Sequence, residues 1–204
     1  MAIHNVIFDV GGVLLQWNPP EVIARLYPDP AVQAVLRRQI FEHADWHEFD
    51  RGTYDEQAAA DHFALLSGHS PQETLALMRA ARDSLVPIEG TLKLVEDLAA
   101  AGVHLYLLSN MPASTYDYLV RRYAFFSHFR HLVISGQLLL IKPEPAIYKH
   151  LVEKTGIIPA ESVFIDDILK NIVAARECGL HAIQFRDPGS CRRELRAYLP
   201  DIGL

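Results

Sequence analysis

The sequence predicts an α/β protein built on a parallel sheet, with a small all-helical insertion after the first strand. Three observations predict it. Short apolar runs alternate with amphipathic helical stretches, several of those runs end in polar residues, and one long segment near the amino terminus is helical throughout with no strand-like run.

The first element is the run Ile3 to Phe8, closed by Asp9 and followed by Gly11 and Gly12. A fully buried strand reads as a continuous apolar run, and an ionised carboxylate is tolerated only where the strand leaves the core. Asp9 is therefore expected at the carboxyl end of a central strand, the edge where ligands bind in open α/β sheets. Glycines just beyond it let the backbone approach a phosphate or a metal closely.

From Gln16 to Pro87 the pattern is helical. Pro30 to Phe41 reads as one helix and Asp55 to Leu66 as another. Ser70-Pro71-Gln72-Glu73 opens a third, with a Ser N-cap, Pro at the first helical position and Glu three residues on. The expected organisation is a core of residues 1–15 and 88–204 and a helical insertion of 16–87.

From Pro87 the β/α alternation is regular. Glu89 to Ala101 places Leu92, Val95, Leu98 and Ala99 on one face, and Gly102 stops it. Strand His104 to Leu108 ends in Ser109-Asn110 and is followed by a helix over Ser114 to Tyr123. After strand His131 to Ser135, a further apolar run, Leu138 to Ile141, is expected as a strand end carrying Lys142. Pro143 then fixes entry to a helix over Glu144 to Lys154. Strand Ser162 to Ile165 ends in Asp166-Asp167, helix Leu169 to Cys178 stops at Gly179, and strand His181 to Phe185 leads to helix Ser190 to Leu199. Helical connections of this length imply parallel strands joined by right-handed crossovers.

Composition narrows the function classes. Of 204 residues, 50% are apolar and 22% charged, with a net charge of −6 and scattered basic residues, which argues against nucleic acid or an anionic membrane as the main partner. No apolar run approaches the roughly 20 residues of a membrane span. The amino terminus lacks a signal layout, so the expected location is cytoplasmic. Cys178 and Cys191 are expected as reduced thiols. The chain is expected to act as a monomer or a homodimer.

Each polar strand end alone reads as a helix cap or a solvated side chain. Together, Asp9, Ser109-Asn110, Lys142 and Asp166-Asp167 put carboxylates, a hydroxyl, an amide and an ammonium on one sheet edge. Clustered carboxylates repel one another unless a hard cation sits among them, and Mg²⁺ is commonly held by a few carboxylates, a carbonyl and waters. The cation would offset the repulsion between Asp9 and an incoming phosphate. Ser109, the Asn110 backbone, the amides of Gly11 and Gly12, and Lys142 can hold the equatorial oxygens as charge redistributes. The expected substrate is a small phosphorylated metabolite.

These residues resemble the four motifs of the haloacid dehalogenase superfamily. The motifs are Phe8-Asp9-Val10-Gly11-Gly12-Val13-Leu14, then Leu107-Leu108-Ser109-Asn110, then Lys142-Pro143-Glu144-Pro145-Ala146-Ile147-Tyr148, and Val163-Phe164-Ile165-Asp166-Asp167 with Asn171. The resemblance implies a Rossmann-like three-layer core, a helical cap, Mg²⁺ and an aspartyl-enzyme intermediate. By it, Asp9 is the nucleophile and a metal ligand, and the Gly11 carbonyl is a second ligand. Asp167 is a third, with Asp166 bound or just behind it. Ser109, Asn110 and Lys142 hold the phosphate.

Gly11 departs from the pattern. Phosphatases of this superfamily usually carry a second Asp two residues after the nucleophile, which protonates the leaving oxygen and then activates water. Such general acid help is typically worth about 10²–10⁴ in rate. The chain is similar to a branch with Asp-x-Gly in this motif that includes sugar 1-phosphate phosphatases, which points to a sugar phosphate as substrate. Alternatively a cap residue supplies the proton, with His43, Asp45, His47 and Glu48 as candidates, or turnover is lost and the protein only binds. Haloacid dehalogenases also lack the second Asp, but carry an aromatic residue where Gly11 stands. His43 and His47, four apart, read as an exposed polar face rather than metal ligands. Trp17 and Trp46 are expected to close the cap against the core.

Overall fold

The computed structural model describes residues 3–200 and 202–203. Five strands, β1 (Asn5–Phe8), β2 (His104–Ser109), β3 (His131–Ile134), β4 (Ser162–Asp166) and β5 (His181–Gln184), form one parallel sheet in the order β3-β2-β1-β4-β5. Phe8 pairs with Leu107 on one side and Ile165 on the other, so the chain leaves β1 at Asp9 between the ends of β2 and β4.

The apolar runs are explained by burial on both faces. Val6 and Phe8 join a cluster with Leu94, Val95 and Leu98 of α6 (Glu89–Ala100), Leu119 of α7 (Ala113–Arg122) and Leu195 of α10 (Pro188–Tyr198). Ile7, one residue out of phase, joins Leu108 and Phe164 against Ile147 and Leu151 of α8 (Pro145–Thr155) and Ile172 of α9 (Leu169–Glu177). A period of two therefore sorts one strand's side chains into two helical layers, which gives the three-layer α/β/α core.

Between β1 and α6 lie α1 (Pro19–Leu26), α2 (Pro30–Leu36) with a π turn at Arg37–Phe41, α3 (Trp46–Arg51), α4 (Glu56–Ser67) and α5 (Pro71–Asp83). They bury a separate cluster around Ile23, Leu36, Ile40, Phe49, Phe63 and Leu77. At the start of α5, Ser70 Oγ accepts from the Glu73 amide at 3.2 Å and the Glu73 carboxylate accepts from the Ser70 amide at 2.9 Å, the capping box expected from the tetrapeptide. Entry to and exit from the insertion run side by side. The Gln16 amide donates to the Val86 carbonyl at 2.8 Å and the Ile88 amide to the Leu14 carbonyl at 2.9 Å.

One expected strand is not one. Leu138 to Ile141 follows a short 3-10 turn (Ser135–Gln137) as irregular chain, and Leu139 has a φ of 57° and is exposed. A branched residue in the left-handed region cannot sit in a strand, so the apolar run folds as the loop beyond β3 and still delivers Lys142 to the same sheet edge. Likewise His43 precedes α3 rather than sharing a helix face with His47.

That loop is held by close backbone packing. A Cβ added at Gly136 would lie 2.6 Å from the Ala113 amide nitrogen and 2.7 Å from the Met111 carbonyl oxygen. Backbone atoms cannot rotate aside, so Gly136→Ala is expected to destabilise by about 1–3 kcal/mol in urea unfolding. A control at the surface is Leu65→Ala, which removes an exposed side chain and is expected to change stability by no more than about 0.5 kcal/mol.

Candidate active site

The centre of the site is the Lys142 ammonium, 2% exposed. It lies 2.9 Å from Asp9 Oδ1 and 2.7 Å from Asp166 Oδ2, and donates to the Leu108 carbonyl at 3.0 Å. Its three donors thus meet groups at the ends of β1, β4 and β2, three neighbours in the sheet. Burial alone would favour the neutral amine, but Asp166 and Asp9 outweigh it and raise the Lys142 pKa. The Asn110 side chain fixes the backbone beneath this contact: its Oδ1 accepts from the Lys142 amide at 2.8 Å and its Nδ2 donates to the Lys142 carbonyl at 2.9 Å. The Asn110 amide group is therefore spent on positioning Lys142.

Asp9 Oδ1 also accepts from the Val10 amide at 2.7 Å, whereas Oδ2 accepts no hydrogen bond from the described residues. One carboxylate oxygen is held and its twin is left for chemistry. Asp166 is saturated: beside Lys142 it accepts from the Ile168 amide at 2.8 Å and from Asn171 Nδ2 at 3.1 and 3.0 Å. Its neighbour is the opposite case, because Asp167 Oδ1 is buried with no partner. Ser109 Oγ, 1% exposed, is equally unpartnered. Two orphaned buried oxygens beside a carboxylate pair are costly unless a ligand completes them.

The two motif glycines differ. Gly12 has a φ of +76°, and a Cβ there would lie 2.5 Å from Asp167 Oδ2, so only glycine lets that carboxylate close on the loop. Its amide donates to the Leu15 carbonyl at 2.8 Å, which leaves Gly11 as the loop amide without a described partner. A Cβ at Gly11 would meet only the Trp17 Cβ, at 3.8 Å, so the missing side chain reflects no lack of room.

Asp9, Asp166 and Asp167 each place one carboxylate oxygen within 4.8 Å of the others. This all-oxygen set suits a hard divalent cation. The unpartnered Asp167 Oδ1 is the donor best placed for it, with Asp9 beside it and saturated Asp166 behind. Burial pushes the Asp9 carboxyl up to about 7 against the pull of Lys142, with Asp166 and Asp167 adding to the rise. Burial and Asp166 raise Asp167 in the same sense.

Above this edge is a cleft of about 160 Å³, lined by residues of both the core and the insertion. Trp17, Trp46, Phe49, Met78, Leu85 and Met111 form its apolar walls. Trp17, just before α1, and Trp46, at the start of α3, pack 6.1 Å apart within the insertion, and both line the cleft. Of the four polar candidates read from the insertion, only His47 reaches the cleft. Asp45 binds His62 at 2.7 Å and lies 3.5 Å from His43, and Glu48 accepts from Arg51 and Thr53. The cleft carboxylates that the sequence did not reveal are Asp50, on the last turn of α3, and Glu56, at the start of α4 and held by Arg79 and Arg82.

The chain belongs to the haloacid dehalogenase-like hydrolases, whose family profile matches residues 3–179. It is 27% identical over 190 residues to a sesquiterpene phosphatase of Aspergillus oryzae, covering 93% of each chain. It is 26% identical over 207 residues to a D-ribitol-5-phosphate phosphatase of Bacteroides thetaiotaomicron, covering 97% of this chain and 98% of that one. Among solved structures it is similar to an enzyme of the same family from Bacteroides thetaiotaomicron in complex with magnesium and inorganic phosphate. There the TM-score is 0.73 at 23% identity, over 91% of this chain and 96% of the other.

The raised Asp9 value carries a stability consequence. A carboxyl whose folded pKa lies above its ordinary value contributes favourably in acid and loses that contribution as pH rises through about 7. In chelator-treated protein, the melting temperature of Asp9→Asn relative to wild type is therefore expected to rise between about pH 5 and about pH 8. A gap that stays constant or narrows across this range contradicts the assignment.

Proposed function

We propose that the chain is a Mg²⁺-dependent phosphatase of small organic phosphate monoesters, working through an aspartyl-phosphate on Asp9. The observation that carries the reading is the pair of orphaned buried oxygens, Ser109 Oγ and Asp167 Oδ1, on either side of a nucleophile candidate held by Lys142. Two relatives matched along nearly their whole length are phosphatases, which supports it.

In this reading Asp9, Asp167 and the Gly11 carbonyl hold the cation. When bound, it offsets charge between Asp9 and the phosphate and returns Asp9 to the ionised state that a nucleophile requires. Lys142 keeps Asp9 Oδ1 fixed so that Oδ2 attacks phosphorus. Ser109 Oγ and the Gly11 amide donate to the equatorial oxygens, whose charge grows as the bond to the leaving group lengthens. Residues 16–87 act as the cap that covers the substrate, and 1–15 with 88–204 form the catalytic core.

The cap also selects the organic group attached to the phosphate. An anomeric sugar phosphate fits the absence of an acid at Gly11. The apolar walls around Trp17, Trp46 and Met78 suit the flat face of a ring or an apolar alcohol, and the sesquiterpene phosphatase likeness supports that second substrate class.

The test is phosphate release from p-nitrophenyl phosphate, glucose 1-phosphate, glycerol 3-phosphate and farnesyl phosphate, with Mg²⁺ and after chelation. Wild type with Mg²⁺ is expected to turn over at least one ester, chelation to abolish it, and Asp9→Asn to lose about 10³-fold or more. Silence on all four, or halide release from 2-chloropropionate in their place, overturns the phosphatase reading.

A further inference from the structure

Two cleft carboxyls are used by neither the cation set nor the phosphate cradle; Glu56 is held by Arg79 and Arg82, which leaves Asp50. Asp50 lines the cleft together with Asp9, Gly11 and Lys142, and no ion pair engages its side chain among the described residues. It approaches from the insertion, opposite the sheet edge.

Its position is fixed from three directions by residues adjacent in the chain. The Asp50 carbonyl accepts from Ser135 Oγ at 2.5 Å, across from core to insertion. Next, the Arg51 guanidinium reaches Glu144, two residues beyond Lys142, through two bonds of 2.6 and 2.9 Å, a fork that sets direction as well as distance. Then Gly52, at a φ of +92°, lies so close to Gly136 that a Cβ would come within 2.5 Å of the Gly136 carbonyl oxygen. A side chain mounted on a segment so anchored is preorganised rather than carried on a mobile loop.

The electrostatics agree. Burial, and the nearby Asp9 charge, hold the Asp50 carboxyl well above the usual carboxylate range, with Lys142 opposing. His47, the other cleft-facing titratable group of α3, is shifted the wrong way for a donor: burial, Lys170 and Arg51 depress it.

We propose that Asp50 is the proton donor and acceptor that replaces the side chain missing at Gly11. The proposal rests on the phosphatase reading. As Asp9 Oδ2 bonds to phosphorus and the ester P–O bond breaks, the departing alkoxide oxygen takes the Asp50 proton and leaves as the alcohol. Asp50, now a carboxylate, then takes a proton from water as the water oxygen attacks the aspartyl-phosphate. The P–O bond to Asp9 breaks, inorganic phosphate departs, and both carboxyl groups return to their starting states. Asp9, Gly11 and Asp50 line one cleft, and the leaving group sits there between the two carboxyls.

The test compares kcat/KM, which reads the steps through alcohol release, for wild type and Asp50→Asn across monoesters of decreasing alcohol acidity. A thermal melt of each variant confirms that it is folded. The ratio of wild type to Asp50→Asn is expected to climb from below about tenfold on p-nitrophenyl phosphate to about 10²–10⁴ on alkyl phosphates. Adding Gly11→Asp to Asp50→Asn is expected to recover the alkyl esters. An equal loss on every ester, or no loss on any, overturns the assignment while leaving the phosphatase reading intact. A wild type inactive on the whole series overturns both.

Discussion

The contact on which the rest depends is the buried ammonium of Lys142. A lone charge in this position would be expelled, because desolvating it costs several kcal/mol. It stays because three adjacent strands each deliver one acceptor to it, Leu108 from β2, Asp9 after β1 and Asp166 at the end of β4. Only the carboxyl edge of a parallel sheet offers backbone carbonyls and side chains of three strands within one hydrogen-bond radius. The same contact keeps Asp9 and Asp166 together despite their repulsion, so the fold and the site stabilise each other.

Around that centre the site divides into groups that are satisfied and groups that are not. Asp166, Asn110 and the Gly12 amide are engaged within the protein. Asp167 Oδ1, Ser109 Oγ and Asp9 Oδ2 have no such partner among the described residues. The satisfied set makes a rigid cradle, and of the open set Asp9 and Asp167 line the cleft. An arrangement of this kind costs stability in the empty protein and returns it when a charged ligand arrives, as expected of a site selected for binding.

Much of this was legible in the chain. The strands and their polar ends follow from apolar runs whose residues pack on two faces, and the α5 cap follows from Ser70 and Glu73. Two things were not. Leu138 to Ile141 has the composition of a strand, and only the backbone at Leu139 shows that tertiary packing made it a loop. Asp50 lies in an ordinary charged stretch, Glu48-Phe49-Asp50-Arg51, where three polar residues look alike. What separates them is docking: Glu48 and Arg51 face each other and Glu144, while Asp50 is turned inward. The one available signal was Gly52, a glycine closing a short helix, which marked the place where the insertion touches the core.

The walls of the cleft also determine how the protein responds to light. The sequence contains two tryptophans, and both of them, Trp17 just before α1 and Trp46 from α3, line the same cavity in ring contact with Phe41 and with each other. The indole emission of the whole chain therefore arises from the one place where insertion meets sheet edge. Any ligand that enters, and any change in the seating of the helices over Asp9, acts on both fluorophores at once, so the protein carries a native optical sensor of its own occupancy.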